Sequence, residues 1–167
     1  MTFDEIVQKL GLEAHPMEGG YFRETYRSSL IIPSHALPDE YGHDKSVCTA
    51  IYFLIGPNHY SAMHRVKTDE IFHFYSGDPV EMLQLHTDGT HSIITIGSDI
   101  MTGESPQVVV PAGTWQGSRL KPGGKYALMG TTVAPAFDYD DYEHGSREAL
   151  IAEYPECEEM IKKLTKE

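Results

Sequence analysis

His64-Arg65-Val66-Lys67-Thr68-Asp69-Glu70-Ile71-Phe72-His73-Phe74-Tyr75-Ser76-Gly77 is the stretch that decides the fold of this chain. Alternation along an extended strand puts His64 on one face with Ala62 and Val66. On the next strand Glu70, Phe72 and Phe74 share a face, while His73 points to the other. The segment from Arg65 to Asp69 reads as the turn of a hairpin, which brings an imidazole and a carboxylate together inside a barrel. Such a pair holds a divalent metal, or forms a base with its orienting partner. Phe72 and Phe74 beside it suit a flat or ring-shaped small molecule.

Working outward, the pattern stays β. Val47 to Ile55 is nearly continuous apolar sequence, the mark of a central strand. Gly56-Pro57-Asn58 and Asp88-Gly89 are turn signals. Further strands are expected at 60–66, 70–75, 80–86, 91–96, 107–110, 115–119 and 126–133, with an aromatic-rich one over 21–27. Many short strands between Gly/Pro turns indicate a sandwich or barrel, not a βαβ fold. Residues 33–46 read as a long loop. Thr2 and Glu5 form a capping box for a helix over about 2–10. Ser146 and Pro155 start helical patterns that run to about 165. Between core and tail, Asp138 to Tyr142 reads as a solvated acidic connector, a lid role for Asp138 and Tyr139 being the weaker option.

A length of 167 residues fits one domain, 1–167, with a β core over about 47–133. Net charge is −12, and Asp138 to Glu167 alone carries ten acidic against four basic residues. That balance repels nucleic acid and anionic membrane surfaces. No apolar run reaches the roughly 20 residues of a membrane span. The acidic N-terminus lacks a signal-peptide layout. Cys48 and Cys157 lie far apart without metal-like spacing and read as reduced thiols of a cytoplasmic protein.

A second string completes the picture: Pro111-Ala112-Gly113-Thr114-Trp115-Gln116. With the first, it resembles the paired signature motifs of the cupin superfamily. His64, Glu70 and Gly77 fall at that family's intervals. Asn58 stands at the leading Gly position, an exchange rationalised by the tolerance of Asn for left-handed backbone. Val66 replaces the second His, and Gln116 the His that ends the second motif. Glu18-Gly19-Gly20-Tyr21-Phe22-Arg23 and Val133-Ala134-Pro135-Ala136-Phe137-Asp138 extend the likeness. They occur in this order in one subfamily, long labelled a domain of unknown function and resembling dTDP-sugar epimerases in fold. The resemblance implies a mainly β, single-domain jelly-roll barrel with short terminal helices, assembled as a homodimer.

It also implies a site. His64 and Glu70 are the expected catalytic pair and, with the Gln116 amide, the tentative ligands of a loosely held divalent metal. Gln116, Phe72, Phe74, Tyr21 and Arg23 are the expected ligand-binding residues. Tyr21 and Arg23 share a strand face, and a guanidinium at the barrel mouth suits a phosphate or carboxylate; a surface or inter-subunit role is the alternative. An iron oxygenase needs two His and a carboxylate, which this chain lacks. The expected function is binding of a sugar-like metabolite, with non-redox isomerase, epimerase or lyase chemistry. The alternative is a binding or sensing module in which catalysis is lost.

Overall fold

The computed structural model describes residues 1–166. Helix α1 (Phe3–Leu10) opens the chain, followed by β1 (Glu13–Ala14), β2 (Tyr21–Arg27), β3 (Ile31–Ile32) and β4 (Lys45–Ser46). The core strands are β5 (Thr49–Ile55), β6 (Tyr60–Val66), β7 (Glu70–Gly77), β8 (Val80–Leu85), β9 (His91–Ile96), β10 (Gln107–Val110), β11 (Trp115–Leu120) and β12 (Ala127–Val133). A short β13 (Tyr142–His144) precedes α2 (Arg147–Glu153) and α3 (Glu158–Lys163). The capping box at Thr2 and Glu5 forms, and Gly11 closes α1 in the left-handed region.

Two antiparallel sheets face one another. One has six strands in the order β1-β2-β5-β12-β7-β10, the other five in the order β13-β6-β11-β8-β9. The apolar run behind β5 makes it an interior strand, paired with β2 and β12. Inward side chains of both sheets form the main core, among them Phe53, Ile55, Phe72, Met82, Val108 and Met129. The outer faces are covered at the ends. Ile6 and Leu12 pack on Leu54 of the six-stranded sheet. Leu150, Tyr154, Ile161 and Leu164 pack on Met63, Leu83, Leu85 and Trp115 of the five-stranded one. Period-two alternation explains that division: Met63 and Trp115 face the helices because His64 and Gln116 face inward.

Three sequence expectations change. His64 and Glu70 are not joined by a hairpin, because β6 and β7 belong to different sheets. The turn between them is a corner where the chain crosses over. The turn from β10 to β11 is a second corner, and the two are laced together: Ala112 N–H donates to Asp69 Oδ1 at 2.8 Å and Gly113 N–H to the Val66 carbonyl at 2.9 Å. Both motifs therefore work by turning corners side by side. Second, Asn58 adopts no left-handed conformation, since every positive φ among the described residues belongs to a glycine; its exchange for Gly is tolerated because this turn does not need one. Gly77 does need to be glycine: its φ is +107°, and a Cβ would lie 2.3 Å from the Tyr126 carbonyl oxygen. Third, the acidic connector is not simply solvated. Its end becomes β13, paired with β6 opposite His64. The long loop over 33–46 holds two short 3-10 turns, pinned where β3 pairs with β4.

Candidate active site

His64 lies on β6, Glu70 opens β7 and Gln116 lies on β11, all buried. The register places Gln116 opposite His64 across the β6–β11 pair. Glu70 comes from the facing sheet through the corner. The Gln116 amide joins them, its Nε2 lying 2.9 Å from His64 Nε2 and 3.0 Å from Glu70 Oε2. His64 Nδ1 donates to the Ala62 carbonyl at 2.7 Å. That bond fixes the tautomer and leaves the Nε2 lone pair toward the amide and the cavity. Gln116 Oε1 has no hydrogen-bond partner. Tyr142 of β13 stacks on the imidazole, ring centroids 5.1 Å apart.

The N-terminal segment supplies two further groups. Glu18 lies with Oε1 3.6 Å from His64 Nε2 and Oε2 3.6 Å from His15 Nε2. Ser61 Oγ donates to the same carboxylate. His15 Nδ1 accepts from the Glu18 backbone N–H at 2.9 Å, so its proton sits on Nε2 toward the carboxylate. The Glu18 carbonyl accepts from Ala62 N–H at 2.7 Å, which binds this segment to β6. Gly19 makes the approach feasible, because a Cβ there would meet the Tyr60 carbonyl oxygen at 2.4 Å.

Burial governs the protonation of this cluster. It pushes the Glu70 carboxyl up to about 7, with the nearby Glu18 charge adding to the rise and His64 opposing it. It raises Glu18 as well. It lowers both imidazoles, against the attraction of Glu70 for His64 and of Glu18 for His15. Near neutral pH the cluster therefore holds neutral imidazoles beside a carboxyl poised to give or take a proton.

These groups open on a cavity of about 190 Å³ lined by His15, Glu18, Phe22, His64, Glu70, Thr131, Phe137, Asp138 and Tyr139, among others. Arg27 and Glu24 stand at its more exposed side. Burial raises the Asp138 carboxyl, but the ammonium of fully buried Lys45 at 2.6 Å, with His43 and Arg27, holds it below the usual range.

The sequence-expected residues divide. His64, Glu70 and Gln116 come together. Phe72 and Phe74 lie in the main core and not among the residues lining the cavity. Tyr21 and Arg23 occupy the opposite face of β2: Tyr21 meets Phe3 edge-on at 5.4 Å, and the Arg23 guanidinium lies 5.7 Å from the Tyr52 ring. Phe22, between them, is the residue that faces the cavity. His73 points outward and bonds Thr132 at 3.2 Å. Glu18 and His15 went unread as site residues, and Asp138 and Tyr139, which line the cavity, were the weaker option against a solvated connector. The signal for two of them was present, since Glu18 and Asp138 bound the outer blocks of the family likeness.

The barrel donors do not suit a preformed metal centre. Among the described residues, the one trio of His, Cys, Asp or Glu with donor atoms all within 4.8 Å of one another is His91, Glu156 and Cys157, and none of these lines the cavity. In the barrel, the Gln116 amide turns donor hydrogens toward His64 Nε2 and Glu70, where a metal would require acceptors.

Known proteins share this architecture. A hypothetical protein from Leishmania major superposes with a TM-score of 0.90 at 30% identity, over 100% of both chains. Protein SO0799 from Shewanella oneidensis does so with a TM-score of 0.86 at 32% identity, over 99% of this chain and 98% of that one. The uncharacterized yeast protein YML079W from Saccharomyces cerevisiae is 29% identical over 133 residues, 75% of this chain; the chain spans 66% of that relative's length. Oxalate decarboxylase from Bacillus subtilis shares the fold alone, with a TM-score of 0.54 at 14% identity over 98% of this chain and 38% of that one. The motif residues, the two-sheet barrel and a family model described as Cupin superfamily (DUF985), matching residues 4–145, agree, and the chain belongs to that cupin family.

Proposed function

We propose that the barrel binds a small sugar-like metabolite and moves a proton on it without redox chemistry, as an isomerase, epimerase or lyase does. The observation that carries this reading is the poised Glu70 carboxyl, near 7, linked through Gln116 to a neutral His64. A general base and acid work best with pKa values close to the working pH. His64 Nε2 takes the proton from a carbon next to a carbonyl, after the substrate displaces the Gln116 amide. The protonated Glu70 gives its proton to the carbonyl oxygen, forming the enol. Return of a proton from the His64 imidazolium to the adjacent carbon, with the second hydroxyl of the enediol giving its proton to Glu70, completes an isomerisation. Protonation of the first carbon on its opposite face, with the enol hydroxyl giving its proton back to Glu70, completes an epimerisation. Gln116, with its unpartnered Oε1 and freed amide hydrogens, holds a substrate hydroxyl. No step passes through a metal.

The test is His64→Ala against wild type on a panel of keto and aldo sugars. A loss of turnover of about 10²-fold or more is expected. A wild-type protein inert across the panel would sink the proposal. The second reading, a binding or sensing cupin, is favoured by the amide that occupies the lone pair of His64. It predicts saturable binding without product.

We also infer a homodimer, supported by Tyr75 and Val109, exposed on the outer face of the six-stranded sheet, and by short edge strands left open. Free Cys48 and Cys157 fit a reducing, cytoplasmic setting. No helix among the described residues is long and apolar enough to cross a membrane.

A further inference from the structure

We propose that the cavity selects by charge: it takes an amine-bearing polyhydroxy compound of the amino-sugar class and turns away phosphorylated, nucleotide-linked and carboxylate-bearing sugars. This rests on the reading of the barrel as a metabolite site and names the substrate class.

Four carboxylates line the cavity, Glu18 and Glu70 deep within it, Glu24 and Asp138 nearer its opening. Among the described lining residues, Arg27 is the one arginine or lysine. It is already committed. Its Nε and Nη2 donate to the two Glu24 oxygens at 3.0 and 2.9 Å, Nη2 donates to the Phe137 carbonyl at 3.0 Å, and Nη1 lies 3.6 Å from Asp138 Oδ1. Behind Asp138, fully buried Lys45 is held by Asp138 and Asp141. No α-helix begins among the lining residues, so no helix N-terminus stands ready for an anion.

An incoming phosphate or carboxylate thus meets like charge without a free partner, in a setting that screens poorly. It compounds the repulsion that the Glu18 charge exerts on Glu70, which already favours the protonated form of Glu70. An ammonium relieves that repulsion. It also meets the rings of Phe22, Phe137 and Tyr139, whose faces attract cations. The volume, about 190 Å³, is below the roughly 300–1,000 Å³ of drug-sized sites and suits a single ring.

The test uses the full chain and four hexose probes, glucosamine, glucose and glucuronate of matched size and the larger glucose 6-phosphate, titrated by calorimetry at low salt. Glucosamine is expected to bind about tenfold or more tightly than either anion, with glucose between. Glu24→Gln removes one carboxylate and leaves Arg27 with the Phe137 carbonyl and Asp138, so it shrinks that ratio; Glu24 is exposed, and thermal unfolding of the variant checks that it is folded. Glucuronate or glucose 6-phosphate binding as tightly as glucosamine overturns the proposal. Should none of the four sugars bind, ethanolamine and glycolate are compared through the imidazole NMR signals of His15 and His64. A preference for ethanolamine then upholds charge selection while counting against the sugar reading. A preference for glycolate, or no response to either, overturns charge selection itself.

Discussion

Replacing Glu70 by Gln separates the energetic cost of this site from its chemistry. A carboxyl held near 7 in the folded protein, against an ordinary value of 4.5, binds more protons folded than unfolded between those limits. Its contribution to stability therefore falls as pH rises from about 4.5 to about 7, and the full penalty applies above that. The difference of about 2.5 units corresponds to about 3 kcal/mol, as an upper bound for this buried group. Glu70→Gln keeps the shape and an acceptor for the Gln116 amide but never ionises. It is expected to match wild type near pH 5 and to exceed it at pH 8 by up to about 3 kcal/mol, or roughly 6–12 °C in Tm for a chain of this length. The assay is thermal unfolding by circular dichroism of both proteins from pH 5 to 8.5. Glu18, also raised by burial, slopes the same way, while lowered His15 and His64 slope the other way, losing stability as pH falls. Those groups are present in both proteins, so the difference between the two curves reports Glu70 together with its coupling to Glu18 and His64. A difference that stays constant across the range would refute the reasoning, because Glu70 would then not titrate there. A stabilised but inactive variant is the signature of a site that trades stability for function.

Two further outcomes test the surroundings. Lys45→Met takes the buried ammonium away from Asp141 and leaves it the more exposed Lys67 at 3.6 Å, and a loss of about 3–5 kcal/mol is expected in urea unfolding; adding Asp141→Asn should restore part of it, and unchanged stability in the single variant would mean that Lys67 and water replace the buried ammonium. Light scattering on the purified chain should give twice the mass of one chain, and the mass of a single chain at micromolar concentration would remove the homodimer.

The sequence carried the fold because its signals are local. The apolar run behind β5, the capping box of α1 and the Asp88-Gly89 turn each act within a few residues, and period-two alternation then fixed which side chains share a face. It correctly set His73 apart from His64, and Trp115 from Gln116. It went astray where the answer depended on which sheet a strand joins. Nothing in Lys67-Thr68-Asp69 distinguishes a hairpin from a corner; the lacing of Asp69 and Val66 to the Pro111–Thr114 turn does so, and that contact spans more than forty residues of chain. Parity along β2 shows the same limit: alternation put Tyr21 and Arg23 on one face, but which face looks inward was set by α1 packing over Tyr21.

The larger gap was Glu18 and His15, and it bears on how this cupin works. Read as a motif, the chain has lost ligands: Val66 stands in place of one His and Gln116 of another. In three dimensions the cluster has not lost polar groups so much as exchanged them. A carboxylate and an imidazole arrive from the segment before β2, held against β6 by the Glu18 carbonyl and by the glycine that follows. A metal site gathers donors around one point and relies on the ion to neutralise them. Here neutral imidazoles, an amide and carboxyls that burial keeps partly protonated pair with one another, Gln116 Oε1 alone among these named atoms lacking a partner. The proposed proton transfer and the proposed charge selection both rest on that exchange, since a cluster balanced without a fixed cation accommodates a positive ligand more readily than a negative one.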